Sequence, residues 1–236
     1  MKEYRDKLFQ SLRDWGDILT IGELRFVGCD FTNCSLSATT NIERRTIVRN
    51  VEIVRCVANS CHVGPAIFEE VSVDGLETNQ LLIAWGALFK HVTLSGKIGE
   101  LKVNQRIGST SDVTPVIQAR FDAFRKSYYH SVDWAFDIST ARFRDEFEFR
   151  GIPARLIRRD PDSQAVIKRE RVLAAGDWRE QVNSPNDLWP FAIDLFLSDG
   201  DEDMVLVVPL GARKRKRDEL LRSLRELREL GVVEPD

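Results

Sequence analysis

The chain has 236 residues, a net charge of −3 and a pI of about 5.8. This length can hold one large domain or two modest ones, and the near-balanced charge argues against a dedicated binder of nucleic acid or anionic membranes. No apolar run is long enough to span a bilayer, and residues 1–6 are too charged for a signal peptide, so we predict a cytoplasmic protein with no membrane attachment.

Residues 1–20 predict a short capping helix. Tyr4, Leu8, Leu12 and Trp15 fall on one side at helical spacing. We expect this helix to cover the open end of the structure that follows, where an uncovered sheet edge would invite aggregation.

Apolar residues recur every five positions between Thr46 and Ile83. Seven of eight positions in one series are apolar, and seven of eight in the series two residues earlier. The first series is Val48, Ile53, Ala58, Val63, Phe68, Val73, Thr78 and Ile83. A strand alternates its side chains every two residues and an α-helix turns by about 100° per residue, so neither produces such a seam.

A coil with four short extended sides does produce this spacing. Each side contributes two inward residues and ends in a corner, and successive coils stack as neighbouring parallel strands. The spacing predicts columns in which Ile53 lies over Val73, and Val63 lies over Ile83.

Two segments, Cys29-Asp30-Phe31-Thr32-Asn33 and Cys34-Ser35-Leu36-Ser37, match the repeat of a known family best. Through them, residues 22–105 resemble the pentapeptide-repeat family, and the resemblance implies a short right-handed quadrilateral β-helix, which we assign to residues 21–106. Some members of that family inhibit DNA topoisomerases by presenting a DNA-like acidic surface. Residues 1–108 carry equal numbers of basic and acidic side chains, so their charge does not support that role.

The four cysteines all fall on the inward positions of the five-residue register. They are Cys29, Cys34, Cys56 and Cys61. A small apolar thiol packs well in such a crowded interior, and the CxxC spacing of many metal sites is absent. We therefore predict buried structural thiols and no metal or cofactor, with a metal site and disulfides as the alternatives.

An apolar stripe is predicted on one outer face of the coil. Ile47, Ile67 and Leu88 occupy the same outward position in three successive coils, and Trp85 lies near a corner beside them. Exposed apolar stripes bind a partner or are covered by another part of the chain. The predicted partner-binding residues are these four, and coverage by the chain's own C-terminal half is the alternative.

Residues 107–236 predict a small α+β domain that ends in a helix. A linker at 107–112 precedes a helix over 115–129, and alternating residues at 134–149 predict strands. Hairpins are predicted at 154–172 and at 191–208, the second with an acidic loop at 199–203. The final helix covers about 213–230. Its leucines could dimerise as a coiled coil, but fewer than three heptads are available, so we expect the helix to dock onto its own domain.

Two basic clusters lie in this half of the chain. The first contains Arg155, Arg158, Arg159, Lys168, Arg169 and Arg171, and the second contains Arg213, Lys214, Arg215, Lys216 and Arg217. Nucleic-acid binding would need both clusters to converge on one face with stacking aromatic residues nearby. Solvated strands and a helix with i,i+4 ion pairs are the alternative.

Catalytic motifs are absent from the sequence, and His62, His91 and His130 are scattered. We therefore predict a non-enzymatic protein-interaction module, such as an adaptor, an immunity protein or a regulatory protein, with a protein partner. The alternative is a nucleic-acid or topoisomerase-associated binder that uses the basic clusters, and a homodimer is compatible with either.

Overall fold

The computed structural model describes residues 1–79, 81–108, 112–145, 148–182 and 188–234. In these ranges the chain is mainly β, as predicted, with long parallel strands and five α-helices. The strands before the first helix are β1 (Lys2–Arg5), β2 (Leu8–Gln10), β3 (Thr20–Val27), β4 (Asp30–Thr32), β5 (Ser35–Leu36), β6 (Ile47–Asn59), β7 (His62–Val63), β8 (Ile67–Thr78), β9 (Leu82–Trp85), β10 (Leu88–Ile98) and β11 (Leu101–Asn104). The later elements are α1 (Pro115–His130), β12 (Phe136–Phe143), β13 (Glu148–Phe149), β14 (Ile157–Arg158), β15 (Gln164–Lys168), α2 (Arg169–Ala174), α3 (Trp178–Gln181), α4 (Leu188–Asp199), β16 (Asp203–Val207) and α5 (Lys214–Glu229).

The larger sheet contains nine parallel strands, and its main path runs β1-β3-β6-β8-β10-β12-β14. Ile47 in β6 lies beside Ile67 in β8, and Ile67 lies beside Leu88 in β10. The paired residues are 20 positions apart between β6 and β8, and 21 positions apart between β8 and β10. The predicted pairing of Ile53 with Val73 is confirmed.

The long strands of this sheet bend at residues with positive φ. The bends lie five residues apart, at Asn50 and Arg55 in β6, at Glu70 and Gly75 in β8, and at His91 and Gly96 in β10. The strand register places the first bend of each strand beside the first bend of the next. A non-glycine residue in this conformation costs about 1–2 kcal/mol, so the pairing beside the four non-glycine bends must compensate that cost. Gly75 and Gly96 adopt the same conformation without it.

The smaller sheet is also parallel and has the order β13-β11-β9-β7-β5. In it Val63 pairs with Ala84, and Ala84 pairs with Val103. The predicted pairing of Val63 with Ile83 is therefore wrong by one residue. One extra residue in the preceding connection lengthens the step and moves the inward positions from Ile83 to its two neighbours.

The capping helix predicted for residues 1–20 is wrong. Residues 2–5 and 8–10 are the strands β1 and β2, which pair in parallel with β3 and β4. The ring of Tyr4 stacks on Phe26 with centroids 5.5 Å apart, and the ring of Phe9 stacks on Phe31 at 5.2 Å. The five-residue register thus begins at Tyr4 and Phe9, and stacking of these rings outweighs the short helical pattern.

Strand pairing continues beyond residue 106. Strand β12 pairs with β10, β14 pairs with β12, and β13 extends the smaller sheet beside β11. The hairpins predicted at 154–172 and 191–208 do not form, because β15 pairs antiparallel with β16. Residues 188–199 form α4 instead of a strand, since Trp189, Ile193 and Phe196 recur at helical spacing and are buried. The predicted helices at 115–129 and 213–230 are confirmed as α1 and α5.

Buried apolar side chains form two clusters. The first lies among the parallel strands and α1, with Phe89, Phe136 and Phe143 among its largest members. The second joins β15 and β16 to helices α2–α5 around Trp178 and Leu224. The segment before β3 contributes no fully buried apolar side chain to either cluster, so it is the least covered part of the described chain.

Candidate interaction surfaces

The predicted apolar stripe belongs to the core cluster that α1 shares with the parallel sheets. Ile67 and Leu88 are buried, at 9% and 2% exposure, while Ile47 and Trp85 are half-buried. Later residues such as Tyr129 and Val132 belong to the same cluster, which supports the alternative interpretation that the chain's own later residues cover the stripe. A partner could reach Ile67 and Leu88 only if the covering residues moved away.

Arg45 helps to hold α1 on this face. Its guanidinium lies 3.9 Å from the ring centre of Phe124, a cation–π contact, and its Nε donates to the carbonyl of Ile42 at 2.7 Å. On the same helix, burial raises the pKa of the Tyr128 hydroxyl, and the nearby carboxylate of Glu69 raises it further. These contacts place α1 beside the outward residues of β6 and β8.

Side chains of the first basic cluster mostly contact the protein itself. Arg155 donates to the carbonyl of Tyr129 at 3.1 Å, and Arg159 donates to that of Gln164 at 3.3 Å. Arg158 is exposed, but its guanidinium stacks 4.1 Å from the ring centre of Trp134.

Arg169 and Lys168 of this cluster hold chain segments together. Arg169 donates to three backbone carbonyls, those of Phe196, Leu197 and Asp201, at 2.9–3.2 Å. It therefore satisfies carbonyl groups at the C-terminal end of α4, where they lack partners within the helix. Lys168 is 2.7 Å from Glu234, and this carboxylate raises the pKa of the lysine.

The second basic cluster remains on the surface at the start of α5. Arg213, Lys214 and Arg215 are exposed, and Arg215 lies 2.9 Å from Glu219 one turn later. This pair is the solvated i,i+4 arrangement that the sequence offered as the alternative to a nucleic-acid site.

The acidic segment at 199–203 contacts residues that follow β13 rather than forming a hairpin loop. Asp199 makes an ion pair with Arg150, and both side chains are largely buried. Asp203 accepts a hydrogen bond from the backbone of Ala154 at 2.9 Å, and burial raises its pKa. This segment therefore connects the two core clusters.

His91 acquires partners that the sequence did not indicate. Its Nδ1 bonds to Glu70, and its Nε2 lies 2.7 Å from a carboxylate oxygen of Asp133. Its ring stacks on Trp134 with centroids 4.7 Å apart. Burial lowers the pKa of His91, but the two carboxylates outweigh that effect and raise it overall. The two carboxylates are more than half exposed, so the arrangement is a surface ion-pair cluster joining three chain segments.

The cysteines are free thiols, with Cys29 and Cys56 buried and Cys34 and Cys61 half-buried. The Sγ of Cys61 donates to the carbonyl of Phe31 at 3.2 Å, and burial raises the pKa of both Cys56 and Cys61. Because the thiolate is the reactive and metal-binding form, this environment favours structural thiols. No cluster suited to a metal ion occurs within the described ranges.

Asp14 is a buried carboxylate that sequence reasoning missed. It accepts hydrogen bonds from the backbone of Gly16 at 3.0 Å, Asp17 at 3.1 Å and Ser37 at 2.8 Å, and another from the Thr46 hydroxyl. Burial raises its pKa, but these donors outweigh burial and lower it overall. Asp14 thus anchors residues 1–19, called the N-terminal rung from here on, to the loop before β6.

The N-terminal rung exposes a concentration of apolar side chains. Six of the ten large hydrophobic residues that are exposed in the described part of the chain lie within it. They are Met1, Leu8, Leu12, Trp15, Ile18 and Leu19, with exposures of 40–66%. Exposed apolar side chains scattered singly are ordinary on a protein surface, whereas this segment gathers six of them within residues 1–19.

Ile18 also has a strained backbone. Its φ is +57°, and it is the only β-branched residue among the non-glycine positions with positive φ in the described ranges. A β-branched side chain in this conformation is a genuine outlier. At 66% exposure, the strain is not offset by burial of the side chain, and strained positions of this kind cluster at functional sites.

Comparisons with known proteins give no family for this chain. No protein-family model matches it. No curated protein and no solved structure matches it either. Among the described helices, none combines the length and apolar character needed to cross a membrane.

Proposed function

We propose that the chain is a non-enzymatic protein-interaction module, of the adaptor, immunity or regulatory type, whose N-terminal rung binds a protein partner. The carrying observation is the concentration of six exposed apolar side chains in residues 1–19. The strained and exposed Ile18 supports the same surface, because backbone strain that side-chain burial does not offset clusters at functional sites.

The architecture we propose for this module is a short right-handed, four-sided β-helix that resembles the pentapeptide-repeat family. The spacing of paired residues on neighbouring strands supports it. Ile67 follows Ile47 by 20 residues, and Leu88 follows Ile67 by 21. One coil of four five-residue sides requires a spacing of about 20 residues. Bends spaced five residues apart and stacked in register support it as corners. In such a coil the first rung has a neighbour on one side only, which explains its exposure.

The proposed surface differs from the apolar stripe because the central residues of the stripe are buried within the chain itself. Ile67 and Leu88 contribute to the core cluster that also contains Tyr129 of α1, whereas Trp15 and Ile18 are 62% and 66% exposed. A surface that is already solvent-exposed can bind a partner without unfolding part of the chain.

The test is affinity capture with the substitution Ile18→Asn. Asparagine tolerates positive φ, so this variant should remain folded and gain up to about 1 kcal/mol of stability while losing the apolar contact. The matched control is Val116→Asn, which removes an equally exposed apolar side chain (72%) from α1. Lysates are treated with nuclease to remove capture through nucleic acid.

We expect a stoichiometric protein partner to be captured by the wild type and by Val116→Asn and to be lost with Ile18→Asn. Denaturant unfolding of all three proteins verifies that each is folded. Equal capture by Ile18→Asn and the wild type would refute binding through the exposed apolar side chains of the N-terminal rung.

A further inference from the structure

Strand β1 is an open edge of the larger sheet. Within the described residues it pairs with β3 on one side and with no strand on the other. An edge strand presents unpaired N–H and C=O groups, and such edges bind an added strand. The N-terminal rung therefore offers backbone hydrogen bonds in addition to its apolar side chains.

A ladder of alternating charge ends at this edge. Glu3, Arg25 and Glu52 lie side by side on β1, β3 and β6. The Nε of Arg25 is 3.7 Å from Glu3 and 3.3 Å from Glu52. The ladder thus reads negative, positive, negative, and its outermost member is the anion Glu3. A strand added at the edge continues the alternation if it places a cation opposite Glu3.

Strand β1 itself carries that cation. We propose that the partner is a second copy of this chain, which adds its β1 antiparallel to the first with the pairing centred on Tyr4. A two-fold axis perpendicular to the sheet produces this arrangement and keeps the outward side chains on the same face. Arg5 of each copy then lies opposite Glu3 of the other.

Charge selects this register over its neighbours. With the centre moved one residue toward the N-terminus, Glu3 of one copy lies opposite Glu3 of the other. With the centre moved one residue the other way, Arg5 lies opposite Arg5. Like charges directly opposite each other destabilise a strand pair, so among these three registers only the one centred on Tyr4 pairs Glu3 with Arg5, at both symmetry-related positions. This inference rests on the proposed function and names the partner at the same surface.

The test exchanges charges between the two copies. Glu3→Arg alone places two cations opposite each other at both symmetry-related pairs, and Arg5→Glu alone places two anions there. Mixing the two variants restores an opposite charge at every pair, as does the double substitution E3R/R5E. The control is Lys126→Glu, which changes an exposed charge on α1.

Light scattering and sedimentation over a concentration series are the readouts. We expect the wild type and Lys126→Glu to dimerise, and each single variant to weaken self-association by about tenfold or more. The equimolar mixture and E3R/R5E should recover it. Circular dichroism confirms the fold of each variant, since the single substitutions also remove the contact between Glu3 and Arg5 within one chain.

Two results overturn this inference. One is a wild type that is monomeric at every concentration, and the other is a dimer that neither single variant weakens. If the monomeric wild type captures an identified heterologous partner that the Ile18→Asn variant does not capture, self-association is refuted and the proposed function stands. If Ile18→Asn loses no partner either, both fail.

Discussion

The substitution Asp14→Ala should destabilise the protein through loss of an internal anchor. The Asp14 side chain accepts hydrogen bonds from three backbone N–H groups, those of Gly16, Asp17 and Ser37, and from the Thr46 hydroxyl. Gly16, Ser37 and Thr46 are buried, so water does not easily replace the lost acceptor there. Only the donor on the exposed Asp17 can turn to solvent without cost.

The magnitude follows from the three buried donors. Each buried donor that loses its partner costs about 1–3 kcal/mol. Allowing for partial relaxation, we expect Asp14→Ala to lower the free energy of unfolding by about 4 kcal/mol. Asp14→Asn keeps one acceptor oxygen and should lose about half as much. Asp17→Ala is the matched control, because it retains the backbone donor and should stay within about 0.5 kcal/mol of the wild type.

Urea unfolding followed by tryptophan fluorescence and circular dichroism measures these differences. The pH dependence gives a second test. Because the folded pKa of Asp14 lies below its ordinary value of 3.8, its contribution is present above that value and is lost as the pH falls through the folded pKa. The gap between wild type and Asp14→Ala should therefore narrow in acid. A variant within about 0.5 kcal/mol of the wild type at neutral pH would refute the anchoring role.

Three other substitutions test the structure. Leu88→Asp places a carboxylate at a site with 2% exposure, so unfolding should cost about 3–5 kcal/mol less; an unchanged thermal midpoint would show that the stripe is not core. Arg169→Ala removes three hydrogen bonds to carbonyl groups and should lose about 2–3 kcal/mol in urea unfolding, whereas the exposed Arg213→Ala should lose less than about 0.5 kcal/mol. His91→Ala removes a cation with a raised pKa, so the wild type should be more stable than the variant below about pH 6.5. That difference in stability should disappear as the pH rises through the folded pKa of His91. A difference in thermal midpoint that is constant with pH would contradict the ion-pair cluster.

The parallel strands could be predicted because each inward position is a packing requirement that repeats. Ile53 and Val73 lie side by side as the five-residue spacing predicted. The prediction failed at Ile83, where a single added residue in the connection shifts the register without interrupting the apolar pattern. It failed again at Tyr4 and Phe9, because two repeats are too few to distinguish a coil from an amphipathic helix.

Contacts between distant segments could not be predicted from local patterns. The partners β15 and β16 are separated by three helices, and periodicity does not say which strands pair. Asp14 meets Thr46 across 32 positions, and His91 meets Asp133 across 42. Arg169 looked like part of a solvent-exposed basic strand, but its donors match carbonyl groups at the end of α4 that the sequence does not locate.

Amide hydrogen exchange at low and high protein concentration tests most directly whether the N-terminal rung is the binding surface. We expect amides in residues 1–19 to become protected as the concentration rises, while those of α1 and of residues 213–215 exchange at an unchanged rate. The same protection should be absent in Glu3→Arg measured alone and should return when Arg5→Glu is added. Protection that appears on α1 or α5 and spares residues 1–19 would contradict the account.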